Sequence, residues 1–390
     1  MRILVGADVP KDPNSGAAGT VYQTNRALRE LGHEVDEIWA DDIGRRIQHG
    51  NAHYLLELPY RFRTIVRQRC EKKRYDVFQL SQPHAYLAAK DHRNSKRAGI
   101  FVNRSHGLEL RVQDVLPYWE KCYGANRKGL LRSLVSKGIQ KQIANQWRQV
   151  ANYSDGIILP SEEDRQFLVK ALKLDESKVR TIHHGVSGHF LSNAYHGNQL
   201  GRFHKLLYVG QYTFMKGPDV LTEVVNDLLR KYPSAAFTWV CSKAHHEQVL
   251  AKIDSTVRPR FSLLDWMPQD QLDELYSEHG IFIFPSFFEG AGKAALEAMA
   301  CGMCVISSDT GGMRDYIDSG DNGFLVEVGD FGGFVSTAIR LLADSTLCLA
   351  VGKRAALHAR EYTWERCARD AVGFYRALLK RRGQTLGNPD

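Results

Sequence analysis

Two carboxylates, Glu289 and Glu297, flank a turn that contains Gly290, Ala291, Gly292 and Lys293. Ionised carboxylates only accept hydrogen bonds, so they suit a ligand rich in hydroxyl groups. Gly290 and Gly292 permit positive φ and leave no Cβ in the way, which lets amides at a helix start point at an anion or a sugar hydroxyl. Lys216, in the segment Gln211-Tyr212-Thr213-Phe214-Met215-Lys216-Gly217-Pro218, adds a point charge suited to a diphosphate. The chemistry this predicts is recognition of a polyhydroxylated ligand that also carries phosphate.

The elements that must hold these groups are legible from pattern. Ile281 to Phe284 is a short apolar run expected as a buried strand, and Lys293 to Ala300 is a helix that stops at Gly302. Leu206 to Gly210 is a strand before Lys216, with a helix after it to about Tyr232. In the first half, Ile3 to Ala7, Glu34 to Ile38, Asp76 to Leu80 and Gly99 to Asn103 read as strands alternating with helices, the first two forming one βαβ unit. The loop holding Gly16 lies at the end of the first of them. Polar clusters follow two others, with His84 after one and His106 after the next, where an open α/β sheet collects ligands. His84 is read as a hydrogen-bonding loop residue. Residues 188–202, with Ser192, Asn193, Gly197, Asn198 and Gly201, have the composition of a linker.

The stretch Pro285 to Gly302 resembles the E-x7-E signature of retaining glycosyltransferases of family 4 (group 1), which have the two-domain GT-B fold. The resemblance implies two Rossmann-like α/β/α domains facing across a cleft: residues 1–195 for the acceptor and 203–363 for the donor. A C-terminal helix of about 364–385 crosses back to the first domain. It also implies that Glu289 with the amides of Gly290, Ala291 and Gly292 holds the donor sugar, and that Glu297 binds the ribose. Lys216 then meets the diphosphate, Gly16 faces the phosphates, His106 lies near the reacting centre, and Trp266 and Met267 hold the base. The family usually has arginine at Gln211, so loss of a fixed guanidinium leaves Lys216, or Lys293 from the opposite loop, to stabilise the leaving phosphate. The activity expected is retaining transfer from a nucleotide-diphosphate sugar to an acceptor hydroxyl, on a lipid-linked, polysaccharide or glycolipid intermediate. No cofactor and no metal is expected, since no acidic cluster or histidine set has ligand spacing. A nucleotide-sugar epimerase or a non-catalytic binder of the same fold is the alternative. Hydrolysis is disfavoured by the lack of a glycosidase-like carboxylate pair.

Composition is consistent with this reading. A chain of 390 residues, 25% charged and 43% hydrophobic, suits about two globular domains. Met1 to Gly6 runs straight into a strand and no long uncharged apolar window follows, so a cytoplasmic place is expected. Cys301 and Cys304 form a CxxC without a partner pair, and the odd, scattered set of seven cysteines points to reduced thiols. Residues 1–200 carry a formal +10 and residues 201–390 a formal −2. No nucleic-acid motif accompanies the basic half. Instead, Lys121 to Ser154 holds no acidic residue while Lys121, Arg127, Lys128, Arg132, Lys137, Lys141 and Arg148 alternate with apolar side chains. A second basic run spans Arg61, Arg63, Arg67, Arg69, Lys72, Lys73 and Arg74. Such segments predict an anionic membrane surface as partner of the first domain.

Overall fold

The computed structural model describes residues 1–123, 130–192 and 200–383. They divide into two compact units, one of residues 1–114, 130–185 and 364–383, the other of residues 115–123, 186–192 and 200–363. Asn193, Gly197 and Asn198 of the expected linker, the boundary at 195, and Arg127 and Lys128 of the basic stretch lie outside the described residues. So do the side chains of Leu130, Leu131 and Arg132.

The first unit is a parallel sheet of β1 (Arg2–Gly6), β2 (Glu34–Ile38), β3 (Val77–Ser81), β4 (Ile100–Arg104), β5 (Gly156–Leu159) and β6 (Val179–Thr181), ordered β2-β1-β3-β4-β5-β6. β3 and β4 are buried along their whole length, because helices cover both faces. Side chains alternate between those faces. Ile3, Val5, Val77 and Val102 pack with the C-terminal helix Trp364–Arg381, while Leu4, Phe78, Leu80 and Phe101 pack on the other side with Phe62 and Trp147. The C-terminal helix is tied to this sheet by the Tyr375 hydroxyl, which donates to Gln79 Oε1 at 2.5 Å.

The second unit is a parallel sheet of β7 (Lys205–Val209), β8 (Ala236–Val240), β9 (Phe261–Leu264), β10 (Ile281–Phe284), β11 (Cys304–Ser308) and β12 (Phe324–Val326), ordered β12-β11-β10-β7-β8-β9. Its strand order reverses between β7 and β10, and in the first unit the corresponding reversal lies between β1 and β3. Loops after the strands diverge at such a point and leave a crevice. The helix Pro218–Lys231 after β7 buries Val220, Leu221, Val224, Val225, Leu228 and Leu229, an apolar stripe at helical spacing. Each such side chain contributes roughly 1.5–3 kcal/mol on burial.

The limits of the units differ from the expected domain limits in two places, and one is that residues 186–192 fall in the second unit rather than the first. Residues 115–123 join the second unit, where Trp119 stacks on Phe287 at 4.9 Å and Tyr123 packs beside it at 5.2 Å. The periodicity of a helix cannot say which unit its exposed rings will cover. Among the described residues no single helix is long and apolar enough to cross a membrane.

Candidate active site

In the second unit the loops after β7 and β10 are locked together. The Phe287 amide donates to the Met215 carbonyl at 2.8 Å. Lys216 Nζ then reaches Glu289 Oε2 at 2.5 Å and lies 5.2 Å from the centre of the Phe284 ring. Glu289 is 8% exposed, and its carboxylate also accepts from Ser286 Oγ and from the Gly292 amide, both at 3.3 Å. Thus one oxygen is aimed by the cation of the neighbouring loop and the other by the first turn of the helix Lys293–Ala300.

Of the two glycines that permit positive φ, Gly292 uses it, at +68°. Gly290 instead serves through its carbonyl, which accepts from the Gly312 amide at 2.8 Å. That bond joins the loop after β11 to the site. Gly311 supplies a second left-handed turn, φ +60°, and a Cβ there would sit 1.9 Å from the Glu289 carbonyl oxygen. Neither Gly311 nor Ser286 stands out from spacing alone, because what they support is the backbone and the rear oxygen of Glu289.

Glu297 is 5% exposed on the inner face of the helix. Lys293 Nζ lies 3.4 Å from its Oε1, and Gln269 Nε2 and the Tyr276 hydroxyl each approach it at 3.5 Å. Burial pushes its carboxyl above the ordinary value, against the pull of Lys293. Lys293 is therefore engaged with Glu297. Gln269 and Tyr276 have no signature in the sequence, since they come from a separate helix, Gln269–Glu278. Met267 is half-buried two residues before Gln269, and Trp266 is 46% exposed. The Gln211 side chain is exposed at the start of the loop that carries Lys216.

The other two candidates lie in the first unit. Gly16 opens the helix Gly16–Glu30, and a Cβ there would meet nothing within 4 Å, so its backbone makes no demand for glycine. His106 follows β4. Its Nε2 is 3.3 Å from Ser81 Oγ, its Nδ1 has no partner among the described residues, and burial beside Arg104 pulls it down to about 3. His184 packs its ring 6.2 Å from that of His106. His84 is half-buried, stacked on Tyr54 and 3.1 Å from Gln146 Oε1.

The CxxC thiols part company. Cys301 Sγ donates to the Phe190 carbonyl at 3.8 Å, while Cys304 pairs with Cys348, and burial raises all the more the thiol of Cys304. The upstream basic run is largely neutralised: Arg61 pairs with Glu57, Arg67 with Asp91, Arg69 with Asp42, and Lys73 with Glu34 and Asp36. The expectation of a free cationic face is corrected for Arg61, Arg67, Arg69 and Lys73 by these ion pairs, whose acidic partners are distant in sequence except Glu57, one helical turn from Arg61.

Two family matches divide the chain along the same lines. Residues 14–188 match Glycosyltransferase Family 4, and residues 203–344 match Glycosyl transferases group 1. The chain belongs to glycosyltransferase family 4. Among family 4 relatives, the D-inositol 3-phosphate glycosyltransferase of Corynebacterium jeikeium is 27% identical over 252 residues, 59% of this chain and 59% of that protein. That of Corynebacterium urealyticum is 28% identical over 181 residues, 44% of this chain and 42% of its own length. The matched stretch thus spans less than two thirds of these curated relatives. Among solved structures, a sucrose-phosphate synthase from Thermosynechococcus elongatus has a TM-score of 0.73 at 20% identity, over 97% of this chain and 99% of that one. Anabaena Alr3699/HepE in complex with UDP and glucose has a TM-score of 0.68 at 14% identity, over 97% and 100%. At these identities the likeness establishes the fold, which is the GT-B fold of this family 4 chain.

Proposed function

We propose that this chain is a retaining, metal-independent glycosyltransferase that uses a nucleoside-diphosphate sugar as donor. The observation that carries the reading is the arrangement at the β7–β10 reversal: Lys216 on Glu289, with Glu297 two helical turns beyond. Glu289 and the neighbouring amides take the sugar hydroxyls, Glu297 the ribose, and Lys216 the leaving diphosphate. An ammonium fixed beside the departing oxygen stabilises charge that develops in the transition state. On this reading donor binding draws Lys216 from Glu289 towards phosphate and frees a carboxylate oxygen for the sugar.

The acceptor falls to the first unit. The inositol phosphate in the names of the relatives is one option for it, and a lipid-linked or glycan intermediate is the other. A peripheral place on the cytoplasmic face of a membrane rests on the helix Leu130–Tyr153, which exposes Leu134 and Val135 near Lys137 and Lys141. Sedimentation with anionic and neutral vesicles at low and high salt tests it; equal, negligible binding to both at low salt removes the membrane from the account.

Incubation with UDP-, ADP- and GDP-sugars and candidate acceptors tests the activity. Release of nucleoside diphosphate with an α-configured product from an α-configured donor is expected. Donor binding without release would favour the non-catalytic alternative that exposed Gln211 invites, and an inverted product would overturn retention.

A further inference from the structure

The first unit has a cavity of about 330 Å³ at its own strand-order reversal, lined by Ala7, Asp8 and Val9 after β1 and by Ser81, Gln82 and His84 after β3. Its volume, about eleven waters' worth, falls in the range of small-molecule sites. Its lining combines polar groups with an apolar surface.

Asp8 carries no direct cation there: its partner is His53 Nε2 at 3.4 Å, and His53 Nδ1 is held at 2.9 Å by Glu57. His53–Glu57 forms a turn of π-helix, a distortion that turns His53 inward, and such turns recur at functional sites. Glu109 and the unpartnered Nδ1 of His106 complete the polar groups of the lining. Trp147 Nε1 donates to Glu109 at 2.9 Å, and burial pushes the Glu109 carboxyl up to about 7. The apolar part of the lining is built from Val9, Leu55, Phe62, Ile139 and Ile143.

Among the described residues no lysine or arginine lines the cavity. Neighbouring guanidinium groups are engaged in other contacts: Arg45 bonds the carbonyls of Ile47 and Gln48, Arg61 pairs with Glu57, and Arg104 bonds Cys367 Sγ through one nitrogen while its Nη1 has no partner among the described residues. A phosphate placed here would lose its hydration against two carboxylic side chains without a compensating cation. An uncharged hydroxyl-bearing group can instead donate to Asp8 and His106 while its apolar body covers Ile139 and Ile143.

From this cavity we infer that the glycosyl acceptor is neutral at its reacting end and joined to an apolar body, in contrast to an inositol phosphate. The inference rests on the transferase reading for the word acceptor, and on the cavity alone for the ligand's chemistry.

Calorimetry of the full chain without donor tests it, with hexyl β-D-glucoside, glucose and D-inositol 3-phosphate as probes. The alkyl glucoside is expected to bind saturably, at least about 10-fold tighter than glucose, with a negative heat-capacity change from apolar burial. D-inositol 3-phosphate is expected to show no saturable heat. Ala17→Trp, which fills the mouth from an exposed position, and Ile143→Lys are each expected to weaken the alkyl glucoside about 10-fold or more. Circular dichroism identifies a variant that has not folded. Tighter binding of D-inositol 3-phosphate, no binding of the alkyl glucoside, or equal affinity in both folded variants overturns the inference. Because no donor is present, those outcomes leave nucleotide release by the second unit standing. Absence of that release while the alkyl glucoside still binds would sink the transferase reading alone.

Discussion

The ammonium of Lys216 lies 2.5 Å from Oε2 of Glu289, joining two loops where the strand order of the second sheet reverses. Removing either partner has a distinct consequence. Lys216→Ala takes away the cation at the diphosphate and is expected to lower kcat/KM by about 30- to 1000-fold, roughly 2–4 kcal/mol. Glu289→Gln keeps a side chain able to meet Ser286 and the Gly292 amide, and is expected to lower kcat with little change in nucleotide affinity. Steady-state assays of diphosphate release check both. Near-normal turnover in Lys216→Ala would move the role to Lys293.

Gly311 tests whether Glu289 is positioned by its surroundings. A methyl group there meets the Glu289 carbonyl at 1.9 Å in a left-handed conformation. Gly311→Ala is expected to cost about 1–3 kcal/mol in stability and to lower kcat, while nucleotide affinity stays within about threefold. Thermal unfolding and nucleotide titration measure the two effects. Unchanged turnover would mean the loop adapts without moving the carboxylate.

Much of this was legible before any coordinates. Ile281–Phe284 and Lys293–Ala300 have the expected bounds, because a buried parallel strand and a glycine-terminated helix leave strong local patterns. Glu289 and Glu297 could be singled out by the E-x7-E resemblance, and Lys216 by its place in a glycine-containing loop between strand and helix. What was not legible depends on distance in sequence. Gln269 and Tyr276 meet Glu297 from another helix, and Asp42, Asp91 and Glu34 quench basic residues that read as a free patch. The cavity of the first unit was also hidden. His53 reaches Asp8 through a π-turn, and no hydrophobic period announces one.

Glu109 predicts a pH signature. Burial raises its carboxyl from 4.5 to about 7, so the folded chain holds this proton more tightly than the unfolded chain. Its contribution to stability is therefore complete below about pH 4.5 and is lost as pH rises through 7. Glu109→Gln removes the titration and can still accept from Trp147. Relative to the wild type, the variant is expected to gain about 2 kcal/mol between pH 5 and 8. Asp164, pushed up to about 6 by burial, titrates in both proteins, and its charge contributes to the rise of Glu109. Parallel stability curves would remove Glu109 as a buried acid.

Gln211→Arg restores the charge that the family usually carries. The side chain is exposed, so the guanidinium enters without being buried. Thermal stability is expected to stay within about 0.5 kcal/mol, and turnover to be unchanged or raised. A loss of turnover with intact folding would show that Gln211 has a role the arginine cannot fill.

The most direct measurement is nucleotide binding to the wild type and to Glu297→Gln, by calorimetry with UDP, ADP and GDP. Glu297 is buried in the same unit as Lys216 and Glu289, and the proposed contact of its carboxylate with the ribose hydroxyls would be worth roughly 1.5–3 kcal/mol. The account predicts that one of these nucleotides binds the wild type and binds Glu297→Gln about 10- to 100-fold more weakly. Equal affinity in the two proteins, or no binding of any nucleoside diphosphate to the wild type, would contradict the assignment of this crevice as a nucleotide-sugar site.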